Sequence, residues 1–317
     1  MADSSLWIER YRPQTFDDVQ GQEAIVSRIK AFVRQKNLPH LLFSGPAGVG
    51  KTSLILVIAK TLFGENWREN FLELNASNDR GIDVVRTKIK DFARTMAIGD
   101  VPFKIIYLDE CDSLTSEAQQ ALRRTMENYS DNCRFCLSCN YSSKIIDPIQ
   151  SRCTIFRFRP LGKEAISSII KKIAKEEGLQ VDAALLDTLY DVAGGDVRRA
   201  ENILQSCASL SKTLNSEMIY EISSAAKPGD LREILLDAVN GNFLKARKLL
   251  LEVMLQHGLS GLDVIKQIQR EILHLDVDEF VQLRMIQQCG EIEFRMVEGS
   301  DEYIQLEALL ASFYQKR

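Results

Sequence analysis

The segment Gly45–Thr52 constrains the fold of this chain more than any other part of its sequence. It follows the pattern G-x-x-x-x-G-K-T and lies between two apolar runs, 41–43 and 54–58, which predict a strand before it and a helix after it. The glycines allow backbone N–H groups to turn toward phosphate oxygens, and the amino end of the helix adds partial positive charge. The pattern therefore predicts a nucleotide-phosphate site in a strand–loop–helix unit.

Two side chains of this loop are expected to carry its chemistry. The Lys51 ammonium should reach the β- and γ-phosphates, and the Thr52 hydroxyl should bind Mg²⁺. The loop and the residue after it are the expected nucleotide contacts: Gly45, Pro46, Ala47, Gly48, Val49, Gly50, Lys51, Thr52 and Ser53.

A second apolar run, 103–108, ends in Asp109 and Glu110. The carboxyl ends of neighbouring parallel strands share one edge of a sheet, so both acids are expected beside the phosphates. Asp109 is the candidate ligand of Mg²⁺, through water, and Glu110 is the candidate residue that orients an attacking water. Asn140 ends a later strand, where its amide is expected to hydrogen-bond the γ-phosphate or the water. An ordinary turn asparagine is the alternative.

Composition limits the class of protein. Of 317 residues, 45% are hydrophobic, and the formal net charge of −4 means that any nucleic-acid contact must come from a local patch. No signal peptide and no apolar run of about 18 residues is visible, so we expect an intracellular protein with no membrane contact. The odd number of cysteines, seven, fits free thiols in a reducing compartment. Cys133, Cys136 and Cys139 alternate faces of one predicted strand, which argues against a shared metal ion.

The pattern of elements predicts three domains. Strands and helices alternate in residues 1–160, which indicates an α/β P-loop domain with a parallel sheet and flanking helices. Every later element has helical periodicity, and breaks at 160–162 and 226–230 separate a small helical lid (161–226) from an all-α domain (227–317).

Two segments have two interpretations each. The helix predicted from 82 to 97 carries Arg86, Lys90 and Arg94 at four-residue spacing, hence on one face. That face is either a solvated charged surface or a row of contacts to nucleic-acid phosphates. The aromatic and basic segment 6–13 is either a tail packed on the domain or a wall of the base pocket.

Seven motifs together resemble the replication factor C small subunits, which are AAA+ ATPases of the sliding-clamp loaders of archaea and eukaryotes. The resemblance covers residues 6 to about 205 and rests on seven motifs. They are WIERYRP at 7–13, the phosphate-binding loop, LNASN at 74–78, LDECD at 108–112, SCN at 138–140, SRC at 151–153 and GDVR at 195–198. Segments 39–43 and 145–153 resemble the archaeal members in particular.

The resemblance implies further roles within the ATP site. Arg198 would reach the γ-phosphate from the lid of the same chain, whereas Arg152 would be an arginine finger that acts on the ATP of a neighbouring subunit. Asn75 would restrain Glu110 until DNA binds. The adenine side of the pocket would be formed by Tyr11, Arg12, Pro13 and Val19.

The resemblance also implies contacts with macromolecules. The helix after the LNASN motif would follow duplex phosphates with Ile82, Arg86 and Lys90, which favours the second interpretation of the charged face. Met126 and Tyr129, at the end of another helix, would contact the sliding clamp, with burial of both in the core as the alternative.

The family context implies ATP and Mg²⁺ as cofactors and a five-subunit complex with a large subunit and other small subunits. This complex would open a sliding clamp of the proliferating cell nuclear antigen type and load it onto primer–template DNA, with the C-terminal domain as its collar. The compartment would be the cytoplasm of an archaeon or the nucleus of a eukaryote.

Two alternative functions stay open. One is a structural subunit that binds ATP and donates Arg152 with little turnover of its own, against which the presence of Glu110 argues. The other is a different AAA+ DNA remodeller, against which the SRC motif and the N-terminal segment argue.

Overall fold

The computed structural model describes residues 6–314 apart from 79, 80, 82, 84 and 100, and it describes the backbone alone for Arg86. Its contacts divide the chain into two compact units, residues 1–213 and 214–317. The division into three domains stays a prediction. No helix within the described residues is long and apolar enough to cross a bilayer.

A five-stranded parallel sheet forms the centre of the N-terminal unit. The strands are β1 (Leu41–Ser44), β2 (Phe71–Asn75), β3 (Lys104–Asp109), β4 (Cys133–Cys139) and β5 (Thr154–Arg157). Their order is β2-β3-β4-β1-β5, and every neighbouring pair runs parallel. The strand sequences are near-continuous apolar runs because helices cover both faces of such a sheet. This arrangement confirms the predicted α/β class and brings the carboxyl ends of β1, β3 and β4 to one edge.

Some helices of the N-terminal unit flank the sheet, and others follow its last strand in the chain. They are α1 (Trp7–Arg10), α2 (Glu23–Arg34), α3 (Lys51–Phe63), α4 (Lys90–Arg94), α5 (Ser116–Asn128), α6 (Asp147–Gln150), α7 (Lys163–Glu177), α8 (Ala183–Ala193) and α9 (Val197–Leu210). The Asp182 side chain caps α8 by accepting from the Leu185 N–H, and Asp196 caps α9 in the same way from Arg199. These caps satisfy backbone N–H groups at the amino ends of both helices.

The C-terminal unit is entirely helical within its described residues. Its helices are α10 (Ser216–Ser223), α11 (Pro228–Val239), α12 (Phe243–His257), α13 (Gly261–Ile272), α14 (Glu279–Val297) and α15 (Glu302–Phe313). A core of buried leucine, isoleucine and methionine side chains holds the helices α11 to α15 together. Burial of that apolar surface supplies the main favourable free energy for such a bundle. The predicted all-α domain is confirmed.

The helix predicted from 82 to 97 is shorter and less regular than expected. A turn of π-helix, Val85–Ile89, leads into α4, which ends at Arg94. The third basic residue of the predicted row is engaged within the chain, because Arg94 Nε donates to the Tyr129 hydroxyl at 3.3 Å. The row of three contacts is therefore reduced to two candidates, Arg86 and Lys90.

Candidate functional site

The phosphate-binding loop connects β1 to α3, as the sequence predicts. Gly48 and Gly50 have φ angles of 67° and 93°, in the left-handed region that favours glycine. Gly48 also lies against the start of α9, where a Cβ atom on it would come within 1.7 Å of Asp196 Oδ1. Its carbonyl accepts from the Val197 N–H at 3.1 Å. The loop is therefore fixed by the lid helix as well as by the sheet.

All three donor positions of the Lys51 ammonium are occupied by oxygens of the site. Nζ donates to the carbonyls of Gly45 and Pro46 at 2.5 and 2.7 Å and to Asn140 Oδ1 at 3.1 Å. Lys51 is only 8% exposed, and this burial lowers its pKa, against the opposing effect of Asp109. Lys51 thus connects the loop to Asn140, the predicted γ-phosphate contact that follows β4.

Asp109 accepts hydrogen bonds on both of its carboxylate oxygens. Thr52 Oγ1 donates to Oδ2 at 3.2 Å, while Ser138 Oγ and the Glu110 N–H donate to Oδ1 at 2.5 and 2.9 Å. Thr52 and Asp109 present hydroxyl and carboxylate oxygens side by side, which is the ligand chemistry that Mg²⁺ prefers. The residues present therefore fit the predicted metal.

Glu110 adopts a backbone conformation that is uncommon for its residue type, with φ at 52°. Its Oε2 accepts from the Ser77 hydroxyl, which also lies 3.0 Å from the Ser113 hydroxyl. Asn75 Oδ1 accepts from the Ser77 N–H at 2.7 Å, so Asn75 positions the residue whose hydroxyl bonds Glu110. A restraint of Glu110 by Asn75 stays a prediction, and Ser77 is the residue that holds the carboxylate.

Asn140 is positioned by an acid that the sequence analysis did not select. Asp112 Oδ2 accepts from the backbone N–H groups of Asn140 and Tyr141 at 3.3 and 3.2 Å. The clue in the sequence is the third acid of the LDECD motif, which follows Glu110 by two residues. Asp112 therefore fixes the loop that presents the Asn140 amide to Lys51.

A cavity of about 920 Å³ opens beside these groups and extends from the loop to the lid helices α7 and α9. Most of the predicted ATP residues line it: Tyr11, Arg12, Pro13, Val19, Ala47, Gly48, Val49, Gly50, Lys51, Thr52, Ser53, Asp109, Glu110, Asn140 and Arg198. Gly45 and Pro46 contribute through their carbonyl bonds to Lys51. The structure thus brings together in one chain all the predicted groups except Arg152.

The N-terminal segment forms one wall of this cavity. The Tyr11 hydroxyl donates to Glu177 Oε1 at 2.5 Å, and Arg10 pairs with the same oxygen at 2.9 Å. Burial, together with the Glu177 carboxylate, raises the pKa of Tyr11 to about 12, so the phenol stays protonated and able to donate. Segment 6–13 therefore packs on the domain and also lines the cavity, so the structure is consistent with both of its interpretations.

Glu201 is a further acid in the cavity wall that the sequence analysis missed. It lies on α9 one turn after Arg198 and is 7% exposed. Burial raises its pKa to about 7, although Arg198 and Arg12 both favour the charged form. Its position after the GDVR motif was the only signal, and helical spacing alone does not reveal burial.

Arg152 lies outside the cavity and is held at the surface by its own chain. Nη2 pairs with Glu127 Oε1 on α5, and Nη1 donates to the Pro148 carbonyl at 2.6 Å. The side chain retains 36% of its exposure. A residue in this position faces solvent rather than the phosphate loop of its own chain.

The predicted DNA and clamp residues have different outcomes. Ile82 lies outside the described residues, and Lys90 is half-buried at the start of α4. Tyr129 is half-buried beside Arg94. Met126 is 1% exposed and packs in the core beneath the sheet, so its assignment as a clamp contact is contradicted and the core alternative holds.

Models of two protein families match the chain. Residues 41–161 match the ATPase family associated with various cellular activities (AAA), and residues 226–312 match the replication factor C C-terminal domain. A replication factor C small subunit of Archaeoglobus fulgidus is 50% identical over 311 residues, which cover 98% of each chain. A replication factor C small subunit of Methanococcus maripaludis is 53% identical over 305 residues, covering 96% of this chain and 97% of the relative. The chain belongs to the replication factor C small subunit family.

Membership in the replication factor C small subunit family confirms the resemblance inferred from the seven motifs and extends it through the C-terminal unit. The chain is accordingly an AAA ATPase with a nucleotide site. The Holliday junction branch migration motor RuvB of Thermotoga maritima has a similar structure, with a TM-score of 0.56 over 72% of this chain and 79% of RuvB. RuvB is 18% identical, so this likeness concerns the fold alone.

Proposed function

We propose that this protein is a subunit of a clamp loader that uses ATP to open a sliding clamp and place it on primer–template DNA. In this proposal, it assembles with a large subunit and further small subunits into a pentamer, and the helical C-terminal unit forms the collar. Its sequence similarity to archaeal replication factor C small subunits, which extends over nearly the whole chain, supports the assignment. Work on chromosomal DNA would place it in the cytoplasm of an archaeon.

Within one chain, the residues around the cavity would bind and orient ATP. The loop N–H groups and Lys51 would hold the phosphates. Thr52, and Asp109 through water, would hold Mg²⁺, which would supply positive charge beside the transferred phosphoryl group. Glu110 orients the attacking water, and Asn140 fixes the γ-phosphate or that water. The Ser77 hydroxyl occupies one acceptor position on Oε2, and the other positions of the Glu110 carboxylate are left for the water.

The position of Arg152 carries the proposal of hydrolysis between subunits. Lys51 and Arg198 face the cavity of their own chain, whereas Arg152 lies outside it beside Glu127. An arginine that stabilises the transition state from a neighbouring chain is a known device of such ATPases. We therefore assign Arg152 to the ATP of the adjacent subunit, so that each site is complete only in the assembly.

Contacts with DNA and clamp complete the proposal. Ile82, Arg86 and Lys90 would follow the duplex backbone, which needs only a local basic row and not a basic protein. Tyr129, at the end of α5, would contact the clamp. These assignments rest on the family resemblance and on the half-exposed positions of Lys90 and Tyr129.

The decisive experiment measures ATP hydrolysis by the assembled loader with clamp and primed DNA. Arg152→Ala should lower kcat by at least about 100-fold while leaving nucleotide affinity unchanged, because the finger acts on transition-state charge. Arg34→Ala, which removes an exposed arginine on α2, is the matched control. The isolated chain should be nearly inactive.

Two results would contradict this assignment. One is an isolated chain that hydrolyses ATP as fast as the complete, DNA-bound loader. The other is full activity of an Arg152→Ala loader. Glu110→Gln in this subunit alone separates the proposal from a purely structural ATP-binding role, since only a subunit that turns over ATP loses single-turnover hydrolysis at its own site.

A further inference from the structure

Tyr107 is a buried phenol that the mechanism above does not use. It lies in the middle of β3 with 0% exposure, and its ring stacks on that of Phe71 at a centroid distance of 6.3 Å. An apolar side chain would fill this position in a buried parallel strand equally well. A hydroxyl there costs free energy unless it is hydrogen-bonded, so its partner is informative.

That partner is the expected Mg²⁺ ligand of the phosphate loop. The Tyr107 hydroxyl lies 3.1 Å from Thr52 Oγ1, although the two residues belong to different elements, β3 and α3. Thr52 Oγ1 also lies 3.2 Å from Asp109 Oδ2. The phenol, the hydroxyl and the carboxylate thus form a chain of hydrogen bonds that ends at the second expected metal ligand.

The direction of these bonds follows from counting protons and lone pairs. A threonine hydroxyl has one proton and two acceptor positions. A carboxylate only accepts, so the Thr52 proton points to Asp109, and Tyr107 must donate to Thr52. This assignment occupies one lone pair of Thr52 Oγ1 and leaves the other for a cation.

The remaining oxygen of Asp109 is fixed independently. Ser138 Oγ and the Glu110 N–H both donate to Oδ1, at 2.5 and 2.9 Å. The carboxylate therefore cannot rotate freely to compensate for a misplaced Thr52. Any change in the Thr52 hydroxyl alters the relation between the two expected metal ligands.

We propose that the Tyr107 hydroxyl is a positioning group for the Mg²⁺ site. It orients the Thr52 hydroxyl so that Thr52 donates its hydrogen bond to Asp109 and directs its free lone pair toward the metal. This inference rests on the proposed function of Thr52 and Asp109 as metal ligands. Tyr107 itself would touch neither metal nor nucleotide. Its hydroxyl interacts with Thr52 and also with Ser138 and Asp109, so its effect passes through these three side chains.

Tyr107→Phe tests the hydroxyl alone, because phenylalanine keeps the ring that packs against Phe71. Binding of a fluorescent ATP analogue to the full-length chain is titrated with saturating Mg²⁺ and, separately, with EDTA. Tyr190→Phe is the matched control, since Tyr190 lies on α8 and does not line the cavity.

The expected result is a specific loss of the magnesium-dependent part of binding. With Mg²⁺, the dissociation constant of Tyr107→Phe should rise by about 3- to 10-fold, the size expected for one hydrogen bond. The Mg²⁺ concentration for half-maximal effect should rise with it. With EDTA, Tyr107→Phe and the wild type should agree. In a Thr52→Ala background, Tyr107→Phe should have a smaller effect than in the wild type.

Three outcomes would overturn the inference. Unchanged Mg²⁺ dependence would show that the hydroxyl has no influence on the metal site. An equal loss with Mg²⁺ and with EDTA would assign Tyr107 a general packing role. A wild-type chain that binds nucleotide equally with and without Mg²⁺ would refute the metal ligands themselves, and with them this part of the proposed function.

Discussion

Replacing Glu201 by Gln should stabilise the protein above neutral pH and leave its stability unchanged in mild acid. Glu201 is 7% exposed in the cavity wall, and burial raises its pKa from the ordinary 4.5 to about 7. Arg198 and Arg12 oppose this change and Asp196 adds to it, so the value already includes the charged neighbours. The wild-type protein therefore carries an unfavourable charge whenever Glu201 is ionised in the folded state.

The magnitude follows from the coupling of protonation to folding. As pH rises from about 4.5 to about 7, the unfolded chain releases the Glu201 proton before the folded chain does, so stability falls across this window. Each unit of pKa difference corresponds to about 1.4 kcal/mol, so the full cost above pH 7 is about 3 kcal/mol. Glutamine keeps the size of the side chain but cannot ionise, and it removes this cost.

Thermal unfolding of the full-length chain without nucleotide, at a series of pH values, measures the effect. At pH 8 the Glu201→Gln transition of the N-terminal unit should be about 6 to 12 °C above that of the wild type, and at pH 4.5 the two should coincide. Glu164→Gln on α7, where the side chain is exposed, is the control and should stay within about 0.5 kcal/mol of the wild type. A stabilisation that is equal at both pH values, or absent at pH 8, would refute the reasoning.

Two further predictions concern the backbone around the phosphates. Gly48→Ala should weaken ATP binding by at least about 10-fold, because its Cβ would meet Asp196 Oδ1 at 1.7 Å. Gly50→Ala is the control, because Gly50 has a similar positive φ but no atom within 4 Å of its Cβ position, and it should lose less affinity. Equal losses of affinity would show that backbone strain, and not the contact with α9, is the cause. Asp112→Asn should lower kcat by about 10-fold with little change in ATP affinity, because it weakens the acceptor that holds the Asn140 N–H. A titration that shows a loss of ATP affinity with kcat unchanged would contradict this role.

Elements with strong local signals were predicted well. The phosphate loop and β3 with its two acids lie where the sequence places them, because strand periodicity and glycine spacing are local properties. The helix expected from 82 to 97 is irregular instead, since a π-turn is set by packing rather than by the pattern of charges.

The side chains that support the catalytic groups could not be predicted in the same way. Ser77, Asp112, Ser138 and Glu201 are ordinary polar residues in sequence, and each gains its role from a partner distant along the chain. The role of Met126 could not be predicted either, because an apolar side chain suits a clamp-binding surface as well as a core. Its burial in the structure assigns it to the core.

The sequence by itself determined that this chain binds a nucleotide, that its N-terminal half is a parallel α/β fold, and which family it resembles, because these depend on motifs of fixed local geometry. Tertiary structure alone decided that Ser77 holds Glu110, that Tyr107 reaches Thr52, and that Arg152 is paired with Glu127 outside its own cavity. Hydrogen bonds and burial depend on distances between atoms that only the folded chain brings together, so no spacing along the sequence encodes them.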